Sequence, residues 1–210
     1  MLLFVDNDVA IKLAEYELLL CLQEIIANSG HDIQTLESLP YVAGLFKPTG
    51  RKNLPSNAKA LEQLKAFIGK TDIASIAYPS TFQLIASIND PHLDEGELTL
   101  LGCALESDDP AFCSGDKRAI QAANKLVESK TLPLEHCIII ILEHTLKILL
   151  KIYNPEEVIS KVLGKPNVDK AIDLCFRGAT PDTMENVFAA LESYIGDLKR
   201  KCDSLTFWAL

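Results

Sequence analysis

Apolar residues along this chain fall into short continuous runs and longer stretches with helical spacing. Leu2 to Val5 is a run of strand length that ends at Asp6. From Asp8 to Ala27, apolar residues at Val9, Leu13, Tyr16, Leu20 and Ile25 predict a helix, and Asn28-Ser29-Gly30 stops it. Residues 31–43 read as a second short strand, with Pro40 pointing to an edge or a loop, and residues 44–56 read as a loop. A helix over 56–69 with Ser56 as its cap and a shorter one over 80–88 follow. Asp94 opens a helix carrying Leu98, Leu101, Ala104 and Leu105. Ala111 to Ser114 reads as a buried strand that Gly115 and Asp116 terminate, before a helix with Ala119, Ile120, Ala123, Leu126 and Val127. The most apolar run, Cys137 to Leu142, suits a last strand, although helical spacing continues into Leu146, Leu149 and Ile152.

Beyond residue 150 only helices are predicted. Asn154-Pro155-Glu156-Glu157 has the cap, proline and acidic first turn of a helix start. Another helix spans Val168 to Phe176, a longer one begins at Thr180-Pro181-Asp182, and the closing LTFWAL is expected to dock. Residues 1–150 are thus expected to form an α/β domain and residues 151–210 a C-terminal α-helical extension that packs on it or offers a partner or dimer surface.

Composition narrows the class. With 210 residues, 48% hydrophobic and 23% charged, the chain can bury a sizeable core. Its six cysteines are scattered without a CxxC pair, which fits buried thiols in a reducing cytoplasm. The N-terminus lacks the basic region of a signal peptide, and no apolar run is long enough to span a bilayer, so a cytoplasmic protein with no membrane partner is expected. A net charge of -9 argues against coating nucleic acid non-specifically. The charge is nevertheless divided: residues 81–110 hold seven acids and no base, whereas residues 41–70 hold six bases and one acid. A basic strip can therefore lie beside an acidic pocket.

Chemistry concentrates in two strand ends and one helix start. Asp6 and Asp116 each follow a buried strand where a helix begins, the place at which open α/β sheets put their ligands. Glu97 stands three residues after Asp94, the spacing of a capping box, so it reads equally as a cap partner and as a ligand. Three carboxylates meeting at one point would suit a hard divalent cation, since without one they repel.

The segments LLFVDNDVAIKL, DEGELTLLGCALE and AFCSGDKRAIQAA together resemble the PIN domain, over roughly residues 1–142. The resemblance implies a three-layer α/β/α fold with a small, mostly parallel central sheet. It also implies a Mg2+ or Mn2+ dependent nuclease, of the kind that includes the ribonucleases of toxin-antitoxin pairs. Asp6, Glu97 and Asp116 fall on the family's metal and catalytic positions. A further family acid has no clear match between residues 30 and 70, where Glu37 and Glu62 are candidates by elimination; Glu143 is another candidate ligand. Lys47, Arg51, Lys52, Lys117 and Arg118 would guide the phosphate backbone of RNA, in preference to DNA, and a protein partner or homodimer is also in keeping with the family.

Two rivals stand beside this reading. FVDND also fits the Asp-x-Asp core of haloacid-dehalogenase-type phosphatases, with Asp6 as nucleophile, Asp8 as acid and SGDKR as a late metal motif, although Glu97 then has no role. The other rival is a PIN-like module without activity that binds RNA or protein as a scaffold.

Overall fold

The computed structural model describes residues 1–46 and 58–209. The chain opens with β1 (Leu2–Val5), α1 (Asn7–Glu15) and α2 (Leu19–Asn28), where the apolar spacing predicted a single helix. The break lies at Glu17, which takes a left-handed φ of 58° and donates its N–H to the Ala14 carbonyl at 2.9 Å. Left-handed residues commonly close helices, and here the residue is not the usual glycine. Tyr16 and Leu18, buried on either side, hold the turn.

β2 (Asp32–Thr35) is followed by a short α3 (Leu39–Val42), so the predicted strand over 31–43 is half strand and half helix. Pro40 sits in the first turn of α3, where its missing N–H removes no helical bond. Next comes α4 (Ala58–Ile68), which buries Ala60, Leu64 and Phe67; its expected cap, Ser56, lies outside the described residues. β3 (Asp72–Ile73) has two residues, too few to leave a periodic pattern. Then follow α5 (Pro79–Ser87), α6 (Glu95–Leu105), β4 (Pro110–Ser114) and α7 (Lys117–Glu128). The apolar run that suited either a strand or a helix divides between them: β5 (Ile138–Ile141) passes directly into α8 (Leu142–Ile152). The chain finishes with α9 (Pro155–Leu163), α10 (Lys170–Cys175), α11 (Met184–Lys201) and β6 (Thr206–Phe207).

Among the described residues the six strands make one parallel sheet in the order β3-β2-β1-β4-β5-β6, with helices on both faces. This is a three-layer α/β/α fold. Alternate side chains of the central strands feed two separate cores, as a sheet covered on both faces requires. Leu3, Val5, Ala111, Cys113 and Ile140 pack with α1, α2, α4 and α8. Phe4, Phe112, Ile139 and Ile141 pack with Leu100, Leu101, Ala119 and Ile120 of α6 and α7.

The C-terminal segment joins both cores. Val158, Ile172, Val187 and Leu191 belong to the first, and Ile195, Leu198, Cys202 and Leu205 to the second. The closing LTFWAL adds β6 to the sheet, with Thr206 opposite Ile138 and the Trp208 N–H bonded to the Ile139 carbonyl at 3.1 Å. Among the described residues no helix is long and apolar enough to cross a membrane.

Candidate functional site

β1 and β4 are neighbours, with Val5 opposite Cys113, so the acids that follow them emerge at the same edge of the sheet. The Asp6 N–H extends the pairing by one bond, to the Cys113 carbonyl at 3.0 Å. Asp6 occupies the cap position of α1, yet its side chain makes no capping bond and is only 8% exposed. Asp116 caps α7, its Oδ1 accepting from the N–H groups of Arg118 at 2.7 Å and Ala119 at 3.4 Å. Glu97 takes part in a full capping box: the Asp94 carboxylate accepts its N–H at 2.8 Å, and its own Oε2 accepts the Asp94 N–H at 2.9 Å. The capping role and a place at the site therefore coexist, because Glu97 is buried to 6% exposure and lines the same cavity as Asp6 and Asp116.

That cavity measures about 950 Å³ and has an acidic wall of Asp6, Asp8, Glu15, Asp94, Glu97 and Asp116. Among the described residues the cations Lys12 and Arg118 also line it. Burial, then the charges of Asp8 and Asp94, pushes the Asp6 carboxyl from its ordinary 3.8 up to about 7, against the pull of the Asn7 and Asp8 N–H groups. Burial likewise raises Glu97 to about 7; the Asp94 N–H opposes this, and the charges of Asp94, Asp6 and Asp116 add to it. The three acids singled out in the sequence therefore share one cavity, and Glu97 feels the charge of the other two.

Two glycines let the walls close. A Cβ on Gly115 would lie 2.5 Å from Asp8 Oδ2, and one on Gly96 would lie 2.7 Å from Leu36 Cδ1. The Gly-Asp and Gly-Glu pairs of the sequence are thus places where a neighbour approaches the backbone.

Comparison with known proteins gives no guide. The chain matches no protein-family model, no curated protein and no solved structure. The site must be read from its own geometry.

Glu143 and Lys117 are not at this cavity. Glu143 is buried and ion-paired with Lys117 at 2.5 Å, and the Lys117 ammonium lies 4.4 Å from the ring centroid of Tyr194. Neither lines the cavity; the pair joins α7 to α8, and Lys117 reaches Tyr194 of α11. Arg118 does line it, whereas Lys47, Arg51 and Lys52 lie outside the described residues.

The sequence reading missed Lys12. Its ammonium bridges Asp8 at 2.6 Å and Asp169 at 2.8 Å, and the side chain is 18% exposed. Burial works to lower its pKa, but the two carboxylates outweigh burial and raise it. Asp169 also caps α10 through the N–H groups of Ala171 and Ile172. Through this pair the C-terminal segment reaches the site, where Pro166, Asn167 and Val168 line the cavity. The Asp8–Lys12 half was legible as an i,i+4 pair; Asp169, 157 residues away, left no local signal.

The site offers hard oxygen donors from Asp6, Glu97 and Asp116, with Asp8 and Asp94 beside them. Among the described residues no three His, Cys, Asp or Glu side chains form a ready metal-holding group. The arrangement is an open acidic wall in which burial raises the pKa of the Asp6 and Glu97 carboxyls.

Proposed function

We propose that this chain is a PIN-like, divalent-metal-dependent nuclease that hydrolyses phosphodiester bonds of single-stranded or structured RNA. Asp6, Glu97 and Asp116 are its metal-holding and catalytic set. The observation that carries this reading is the meeting of three acids from β1, α6 and β4 in one cavity, with Asp6 and Glu97 held near pKa 7 by burial and by negative neighbours. Carboxyls in that state release a proton when a cation arrives, and oxygen donors suit Mg2+ or Mn2+. The donors present fit such an ion in their chemistry, though not as a ready three-ligand group among the described residues.

When bound, the ion supplies Lewis acidity toward a phosphoryl oxygen and acidifies a water for attack. The chain's own groups do the rest. Asp6 is the central donor, fixed by the Asp6 N–H bond to β4. Glu97 is held at the wall by the Asp94 N–H, and Asp116 by the first turn of α7. Arg118, on that same turn, meets the incoming phosphate. Lys12 pairs with Asp8 beside them. A cytoplasmic ribonuclease, with a protein partner or second copy as in toxin-antitoxin pairs, is the biological setting this reading favours.

A scaffold that binds RNA or protein without cutting is the second reading. Two observations favour it: Glu97 and Asp116 both serve as helix caps, and no ready group of three metal ligands is present among the described residues. The deciding experiment is cleavage of single-stranded RNA with Mn2+ by the wild type and by an Asp6→Asn plus Asp116→Asn variant. Metal-dependent cleavage lost in the variant is the expected result. Intact RNA with both proteins favours the scaffold, and hydrolysis of small phosphomonoesters alone favours a phosphatase.

A further inference from the structure

On the segment that brings Ser38 and Val42 to the cavity, the chain exposes two aromatic rings for which the proposed hydrolysis has no use. Tyr41 lies on α3 and Phe46 just beyond it, each 65% exposed, with ring centroids 5.1 Å apart and planes inclined at 49°. The segment is anchored from beneath by Leu39 and Ala43, which are fully buried. Ser38 and Val42, on the same segment, line the cavity, and Ser38 Oγ accepts a hydrogen bond from Asn7, the neighbour of Asp6, at 3.0 Å. The rings are therefore carried by a buried foot next to the acidic wall.

We propose that Tyr41 and Phe46 form a base-stacking platform that seats unpaired bases of a single-stranded nucleic acid whose backbone continues into the acidic cavity. The proposal rests on the nuclease reading for the direction the strand takes from the platform. Two rings beside a wall of carboxylates give far less apolar surface than the roughly 800 Å² each partner contributes to a stable protein interface. They match a base, which offers a flat π-face whatever its identity. The inclination sets the geometry: two rings at 49° cannot lie flat on one base, so each takes its own. Bases splayed in this way are available in a single strand and are withheld in a duplex. The net charge of -9 works against a phosphate backbone, so stacking on the rings has to supply much of the affinity.

The test is anisotropy of a labelled single strand of roughly ten nucleotides. It is titrated with the full chain carrying Asp6→Asn, so that nothing is cut. The same backbone with abasic spacers and a matched duplex serve as comparison probes. Tyr41→Ala and Phe46→Ala are each expected to weaken binding roughly 5- to 100-fold, while Tyr41→Phe leaves it unchanged. The abasic strand and the duplex should bind as weakly as the double variant. Both side chains are exposed, so unchanged melting temperatures will exclude a folding defect. Equal affinity in the double variant, equal affinity for the abasic strand, or no binding by the parent overturns the proposal. A light-scattering mass that falls on substitution assigns the rings to a protein contact and overturns it too. Cleavage does not enter this readout. A wild type that cuts RNA while binding ignores the rings keeps the nuclease and loses the platform; stacking without any cutting does the reverse.

Discussion

At the scale of the residue, Asp6 is the most informative group. Its folded pKa of about 7 stands above the ordinary 3.8, so in metal-free protein its burial is harmless below that lower value and destabilising as pH rises through 7. Asp6→Asn should therefore raise the melting temperature at pH 8 and change it little at pH 4. With about 1.4 kcal/mol for each pH unit, the ceiling on the gain is ~4 kcal/mol. A variant less stable than wild type at pH 8 without metal would contradict the reading. His144 titrates with the opposite sign. Burial, then the Lys199 charge, lowers its pKa from 6.5 to about 4, and its buried Nε2 has no hydrogen-bond partner among the described residues. Its stabilising neutral form is fully present above pH 6.5 and is lost as pH falls toward 4. A His144→Gln variant should show a flatter decline of melting temperature over that window; an unchanged decline would place the acid sensitivity elsewhere. Lys12 is the third test. Removing it leaves Asp8 and Asp169 facing each other, so Lys12→Met should cost about 1–3 kcal/mol, and adding Asp169→Asn should recover part of it. Additive effects in denaturant titrations would mean that the pair carries no coupling.

At the scale of the element, local signals are legible in the sequence and long-range ones are not. The two strand-end acids and the capping box were legible because each needs only a few adjacent residues: an apolar run, an acid, and the start of a helical period. The break at Glu17 was missed because the turn uses a left-handed glutamate instead of glycine. β3 and β6 were missed because two-residue strands have no period, and their existence depends on the edges of β2 and β5. Glu143 sits beside a strand end much as Asp6 does, but its side chain pairs with Lys117. β6 covers an otherwise open edge of β5 and helps bury Ile139. Deleting residues 203–210 is expected to lower the melting temperature and promote self-association through that edge. A monomer of unchanged stability by light scattering and thermal melting would show that β6 is dispensable.

At the scale of the whole molecule, the α/β class followed from the alternation of apolar runs with helical stretches, whereas the three layers were expected only through the resemblance to the PIN domain. What that pattern does not hold is how the last third of the chain is used. The apolar residues of α9, α10 and α11 read as an extension that packs on the first domain or offers a partner surface; in three dimensions they complete both cores, and Asp169 and Pro166–Val168 bring this segment to the cavity. A fragment ending at Ile152 would expose those contacts and should fail to melt cooperatively. The acidic cavity itself is the account's central claim. Its most direct test is calorimetric titration of the metal-free protein with Mn2+ near pH 7, in buffers of different ionisation enthalpy. The account predicts binding with release of protons from Asp6 and Glu97, weakened at least tenfold by Asp6→Asn. No binding, or binding that neither releases protons nor depends on Asp6, would contradict it.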